Sequence, residues 1–446
     1  MTKQLFGHIS YDLKNNRGKW ILLFALTVFY YAALALSYMR ALADRRDFFF
    51  GDFSPVKAAA ALLFIAAAYI MTNNFARKPS VFLFNLFFYM TFIPLSVVYA
   101  CCSFDSGFYI PVALLTVAGA AVCGMDRRRS GERVEMIPQV SHLAVAAGVL
   151  LLGTVIAVFL YKAGLPTLTA LNLKNVYQLR FSNDYGTSKY FGYILRWTEA
   201  TIIPFLLAVT LTRKNTTGTV LLLAAGILIF MYEGSKTVLF SLPMTLAVYL
   251  FMQLKNANYI FYLAYTLGMS GLSAIGAFRY NFIYSLFVRR TLMIPAFLKF
   301  EYYRFFQDHP LLGFGGTLWG KAFGQSIPYE RGLGHEISTY FFNNDAMNAN
   351  TGFLAEGYYR FGIFGLILVM VLFVLILRCI DRLAGRTSFV FALTMCAYPI
   401  YTLNDGMLID SLIFGPFTVL MLIVLFYSCP VAKENGNEGK IALQLR

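Results

Sequence analysis

Charge is what this sequence has least of. Only 13% of its 446 residues are Asp, Glu, Lys or Arg, against roughly 25% in an ordinary soluble domain. Hydrophobic residues make up 59%, and the mean hydropathy is +0.63. A water-soluble globule of this length would leave too much apolar surface facing water, so a soluble fold is excluded and lipid must solvate the excess. Signature motifs are missing too. There is no P-loop, no dinucleotide fingerprint following a strand, no Gly-x-Ser-x-Gly and no His-Glu-x-x-His, which leaves no support for nucleotide hydrolysis, a redox cofactor or bound zinc. The six cysteines, Cys101, Cys102, Cys123, Cys379, Cys396 and Cys429, form no Cys-x-x-Cys pair and have no histidine pair nearby at ligand spacing. They read as small buried hydrophobes. No cofactor and no metal are expected.

Acidic residues are scarcer than basic ones, 22 against 37, for a net charge of +15. In a membrane chain such an excess holds loops on the cytoplasmic side and meets anionic lipid, so nucleic acid is not expected as a partner.

What is abundant is long apolar runs. A spanning helix needs about 20 mostly apolar residues. Twelve segments qualify: 20–40, 57–73, 80–101, 107–124, 142–162, 190–211, 218–232, 237–253, 258–278, 351–378, 387–404 and 410–429. The seventh and eighth are short and parted only by Tyr232-Glu233-Gly234-Ser235-Lys236. The polar, basic stretch from Met1 to Trp20 is too long for a signal-peptide n-region, so the first helix reads as retained. The expected architecture is a single all-α membrane domain over 1–446, with about twelve transmembrane helices and a large helical outer loop.

Lys and Arg in short loops set orientation. With the N-terminus in the cytoplasm, every second loop is cytoplasmic, and these carry Arg77 and Lys78; Arg127, Arg128, Arg129 and Arg133; Arg213 and Lys214; Lys255; and Arg378, Arg382 and Arg386. The C-terminal tail falls on the same side. The loops near Asp105 and Asp405 have no basic residue, while Arg45 and Arg46 run against the pattern beside Asp44 and Asp47. Two long segments are left on the outer face, 163–189 and 279–350. The second is rich in Phe, Tyr, Trp and Gly, which fits an ordered cap of short helices better than disorder.

These outer segments carry Lys174, Arg180 and Lys189, then Arg279, Arg289, Arg290, Lys299, Arg304, Lys321 and Arg331. Cations there oppose the topology rule. Singly, each is expected to meet headgroups or water; as a set they suit a phosphate-bearing ligand, because guanidinium matches phosphate in a bidentate way. Aromatic residues between Phe282 and Phe306 suit either the membrane interface or stacking on sugars. Glu233 and Lys236 either face a central site from a re-entrant turn or simply cap a hairpin in water. His335 is either a base for a sugar hydroxyl or plain polar surface. Glu330, Glu336, Asp345 and Glu356 are alternative bases, and Asp308-His309 before Pro310 reads as a turn.

The stretch from Asn348 to Gly365, which contains Asn348-Ala349-Asn350 and Glu356-Gly357-Tyr358-Tyr359-Arg360-Phe361-Gly362, resembles the loop-to-helix junction of bacterial O-antigen and oligosaccharide repeat-unit polymerases. The stretch Asn175-Val176-Tyr177-Gln178-Leu179-Arg180, with Gly192, Trp197 and Pro204, and the turn Gly234-Ser235-Lys236 are similar to that family as well. The resemblance covers about residues 160–370; the N-terminal third adds only hydropathy. Related O-antigen ligases carry a His-x-His-Asn-like element where this chain has Asn348-Ala349-Asn350, which favours a polymerase. The resemblance implies a fold like the class C membrane glycosyltransferases and a location in the bacterial inner membrane, with both termini cytoplasmic. It also implies transfer of a growing glycan from undecaprenyl diphosphate to a new lipid-linked repeat unit, without nucleotide sugar or metal. Membrane lipid is a partner, and a chain-length regulator an optional one. Under it, Arg180 and Arg290 stabilise the leaving diphosphate with help from Lys236, Arg279 and Arg289. His335 and Glu336 are base candidates, and Glu233, Asn348 and Asn350 contact substrate. The competing classes are a flippase for the same lipid-linked oligosaccharide, a ligase-like transferase, and a non-enzymatic assembly protein.

Overall fold

The computed structural model describes residues 16–44, 49–125, 138–166, 189–234, 236–329 and 332–427. Arg180, Lys174 and nearly all of the 163–189 segment lie outside the described residues, as do Glu330, Arg331, Cys429, the Arg127–Arg133 loop and both chain ends.

Among the described residues every regular element is helical. In chain order these are α1 (Arg17–Leu42), α2 (Pro55–Met71), α3 (Pro79–Cys101), α4 (Ser106–Gly124), α5 (Pro138–Ala163), α6 (Tyr190–Thr212), α7 (Thr216–Glu233), α8 (Lys236–Met252) and α9 (Ala257–Phe278). There follow α10 (Ile294–Asp308), α11 (Leu318–Ala322), α12 (Leu333–Phe342), α13 (Phe353–Arg386), α14 (Phe389–Thr402), α15 (Ile409–Phe414) and α16 (Pro416–Phe426). Eight of these, α1, α3, α4, α5, α6, α7, α9 and α13, are long and apolar enough to cross a membrane. Four more, α2, α8, α14 and α16, are apolar but shorter. The chain is thus a helical, multi-pass membrane protein, and all twelve apolar segments are helical although only eight reach spanning length. The seventh segment, expected to be short, is one of the eight.

Local chemistry explains the ends. Ser54 caps α2, with Pro55 at its first position, where a missing N–H costs nothing. Asp105, Asn215 and Ser388 accept backbone N–H bonds at the starts of α4, α7 and α14. Gly234 ends α7 in the left-handed region (φ +63°) and lets α8 follow at once as a hairpin.

Three π turns share a cause. Phe88–Phe92, Thr198–Ile202 and Ser285–Met293 are each followed by an Ile-Pro pair: Ile93-Pro94, Ile203-Pro204 and Ile294-Pro295. Proline has no N–H to give, and its ring crowds the carbonyl one turn back. Widening the preceding turn accommodates it without breaking the helix.

The centre of the bundle is α3, 94% of whose most apolar window is buried. It lies against α13 and α14, while α1 and α9 pair along their length beside it. Tyrosine hydroxyls tie these helices together. Tyr30 donates to the Tyr89 carbonyl at 3.2 Å, Thr27 and Tyr89 share a bond at 2.9 Å, and Tyr262 donates to the Phe82 carbonyl at 2.5 Å. In a lipid-facing bundle such bonds hold helices together where the hydrophobic effect gives little.

Two expected spans are broken. The tenth segment continues as α13 to Arg386, but Phe361 and Gly362 leave helical geometry; Gly362 has φ +63° with ψ −143°, a conformation open essentially to glycine alone. The residues before the break fold back on those after it. Gly357 and Gly365 make the contact, and a Cβ on Gly365 would collide with the Gly357 carbonyl. The twelfth segment divides at Gly415-Pro416 into α15 and α16.

Candidate functional site

The break in α13 creates the site. Its first two turns, Phe353–Arg360, run beneath the 311–316 loop, because Leu312 and Gly313 donate backbone N–H bonds to the carbonyls of Tyr359 and Arg360, both at 3.0 Å. Glu356 and Arg360, four residues apart on this short helix, are both buried and ion-paired at 3.3 Å. The Glu356 carboxylate accepts the backbone N–H groups of Leu408, Ile409 and Asp410 at 2.5, 2.9 and 3.1 Å. These are the donors that the start of α15 leaves without helical partners. The Arg360 guanidinium spreads over three directions. It donates to the carbonyls of Gly313 (2.9 Å) and Gly315 (3.2 Å) and forms an ion pair of 2.7 Å with Asp410, whose side chain is 35% exposed. One cation thereby fixes the 311–316 loop, α13 and α15 in a single arrangement.

Above this triad lies a half-open cleft of about 220 Å³. Its polar wall is Asp410, Arg360, His335, Asn348 and Asn350; Tyr302 and Tyr359 supply rings, and Gly315, Gly316 and Ile327 close one side. The opposite wall is the start of α12 laced to the 348–350 strand of chain. Ala349 donates to the Gly334 carbonyl at 3.0 Å, and Tyr302 donates its hydroxyl to the Ala349 carbonyl at 2.8 Å. Gly334 lies so close to Asn348 Oδ1 that a Cβ there would displace the amide. His335 Nδ1 lies 3.1 Å from the Asp345 carbonyl. A carbonyl only accepts, so in the neutral ring Nδ1 holds the proton and Nε2 keeps its lone pair.

The cleft therefore collects three of the residues singled out in the sequence, His335, Asn348 and Asn350, and not the other described ones. Glu336 is half-buried on α12 and does not line it. Arg279 and Arg290 are exposed, and Arg289 is half-buried with its guanidinium 5.9 Å from the centre of the Phe49 ring. None of the three lines the cleft. Glu233 is half-buried at the end of α7; for Lys236 only the backbone is described. The expected base and sugar-contacting residues thus fall in a polar cleft, and the expected diphosphate cations Arg289 and Arg290 on a distinct arginine-bearing segment.

A bridge joins the two. Asn404, in the turn after α14, donates to the Thr291 carbonyl at 2.7 Å, next to Arg290. Its own carbonyl receives Lys299 Nζ at 2.6 Å. The same turn leads through Met407 to Asp410 in the cleft. Lys299, expected among the outer cations, is instead fully buried on α10 and donates also to the Pro295 carbonyl at 3.1 Å. Burial brings its ammonium down to about 7, against a weaker pull from Asp405. Glu301, two residues on, is buried as well; desolvation raises its carboxyl to about 7 although Arg304 sits 3.1 Å away. Arg304, another expected outer cation, is committed to that pair and to the Phe341 ring at 5.2 Å.

Arg360 and Asp410 were not singled out from sequence, and Glu356 appeared only as an alternative base. A signal existed: Glu356 and Arg360 stand at i, i+4, the spacing at which opposite charges meet on a helix. Asp410 is a lone acid at the edge of an apolar run, and such charges mark polar cavities.

The fold and cleft define a multi-pass helical membrane protein with a polar, ring-lined cleft where a broken helix meets a cap of short helices. The chain matches no protein-family model, no curated protein and no solved structure.

Proposed function

We propose that this protein is a membrane glycosyltransferase that joins lipid-linked oligosaccharide repeat units into longer chains, acting on undecaprenyl-diphosphate-linked substrates at the outer face of the bacterial inner membrane. The observation that carries the proposal is the cleft. Two amides, an imidazole, a carboxylate and two tyrosine rings around about 220 Å³ form a lining suited to sugar hydroxyls and sugar faces. Arg360, the only arginine among its described lining residues, is already compensated by two carboxylates. That suits an uncharged sugar better than a diphosphate, so the cleft takes the acceptor end of a repeat unit.

In this scheme Asn348, Asn350 and Asp410 orient the acceptor. Its hydroxyl proton passes to His335 Nε2 as the oxygen attacks the anomeric carbon. The bond from that carbon to the diphosphate oxygen breaks, and the lipid diphosphate leaves with the electron pair. Preplaced cations stabilise the charge that develops; Arg289, Arg290 and Arg279 serve here, with Lys236 and with Arg180, which lies outside the described residues. In the proposed topology the four shorter apolar helices cross as well, giving twelve crossings, and the Lys/Arg-rich short loops support cytoplasmic termini with α10–α12 outside.

Purified protein in nanodiscs, given one lipid-linked repeat and no other enzyme, should produce a ladder of longer lipid-linked glycans. His335→Ala and Asn348→Ala should shorten or abolish the ladder. Movement of the substrate across a bilayer without elongation would mean a flippase, and transfer only to a different lipid acceptor would mean a ligase. Either result would replace the proposal.

A further inference from the structure

We infer that the 311–327 loop, with Trp319 and Phe323 on its exposed side, is seated in the headgroup layer of the membrane and puts the mouth of the cleft at that level. Trp319 and Phe323 are 55% and 65% exposed although their rings stack on each other at 6.3 Å. Phe314 joins them and packs on Phe361 at 5.1 Å, at the break in α13.

Immediately after the break, α13 presents Ile363, Phe364, Ile367, Val371 and Leu375 as one exposed apolar face. That helix is long and apolar enough to span a membrane, so this face meets acyl chains. The loop joins α13 at the start of this face: Leu311 lies beside Gly362, and Phe314, which neighbours Phe323, rests on Phe361. A ring-bearing loop anchored where the lipid-facing stretch of a spanning helix begins has one occupant at hand, the lipid itself. The change in composition from helix to loop also fits. Aliphatic side chains on α13 give way to Trp319 and to the exposed Lys321, the residue types that settle where chains end and phosphates begin.

The other side of this loop, through Leu312, Gly315, Gly316 and Ile327, is a wall of the cleft. A ligand whose polar head enters the cleft can therefore keep a long apolar tail along α13, and the chemical class that fits is an amphiphile with a hydroxyl-rich head. The seating of the loop rests on the membrane-spanning character of α13 alone and stands or falls independently of glycosyl transfer.

The test uses the full chain in nanodiscs, comparing wild-type with Trp319→Phe so that the difference isolates the Trp319 emission. Phosphatidylcholine brominated near the glycerol should remove most of that emission, whereas iodide in the water should leave it nearly unchanged. A Trp319→Phe/Phe323→Trp variant should regain emission quenched in the same way. If brominated lipid leaves the Trp319 component intact, whatever iodide does, the inference is overturned. Elongation measured on the same samples reports separately on catalysis.

Discussion

Arg360 and Arg290 sit on two sides of one turn of chain and could hardly be treated more differently. Arg360 is buried, and its donors go to Glu356, Asp410, Gly313 and Gly315. Arg290 is exposed, between Thr291, whose carbonyl accepts from Asn404, and Arg289, whose guanidinium lies over the Phe49 ring. A guanidinium with every direction assigned defines geometry; it has nothing left for an arriving anion. One near the surface is held less rigidly and is open to solvent. The difference teaches that a set of like charges in a sequence divides by burial into residues that hold the structure together and residues that face solvent.

The contrast is broken most directly at Arg360. Arg360→Ala leaves Glu356 and Asp410 facing each other without a cation, and removing one partner of a buried pair costs about 3–5 kcal/mol. Thermal unfolding in detergent should show it as a large drop in midpoint, with Arg360→Lys recovering only part because the fork is lost. Arg290→Ala should do the reverse. Unfolding stays within about 0.5 kcal/mol of wild-type, as for other surface changes, while the elongation rate falls about 10²–10³-fold, as when a preplaced charge is removed. If Arg290→Ala unfolds the protein, or Arg360→Ala leaves it stable, the division by burial fails.

A further contrast concerns pH. The Glu301 carboxyl, raised from 4.5 to about 7, holds its proton more tightly in the folded state, so its contribution is complete at low pH and is lost as pH climbs to about 7. The Lys299 ammonium, lowered from 10.5 to about 7, behaves oppositely: its contribution is complete above 10.5 and is lost as pH falls to about 7. Together they give a stability minimum near neutral pH. A plot of unfolding midpoint against pH should lose its acid-side slope in Glu301→Gln and its alkaline slope in Lys299→Met.

The sequence disclosed more of the fold than of the site. Hydropathy located twelve helical segments, because lipid-facing residues cannot avoid being apolar. It did not reveal that α13 breaks at Phe361–Gly362 or that α16 starts only at Pro416, since run length says nothing about backbone φ. Asn348, Asn350 and His335 were visible through a short motif and a lone histidine, and the cleft gathers them. Lys299 was misjudged: on composition it is one more basic residue in an outer segment, and only α10's burial against α3 and α13 shows that its charge is turned inward. Arg360 was in plain view within the same motif, but a buried arginine and a ligand-binding one are written with the same letter.

The contact between Gly357 and Gly365 carries a mechanical consequence. No side chain stands between the returning start of α13 and the shaft that follows, so backbone bears on backbone. A tilt of that shaft, imposed by the thickness of the surrounding bilayer or by a long tail resting along it, is passed to Arg360 without a cushion. From Arg360 it goes on to α15 and the floor of the cleft. The position of the membrane shaft and the shape of the cleft are thus linked through direct backbone contact and one arginine.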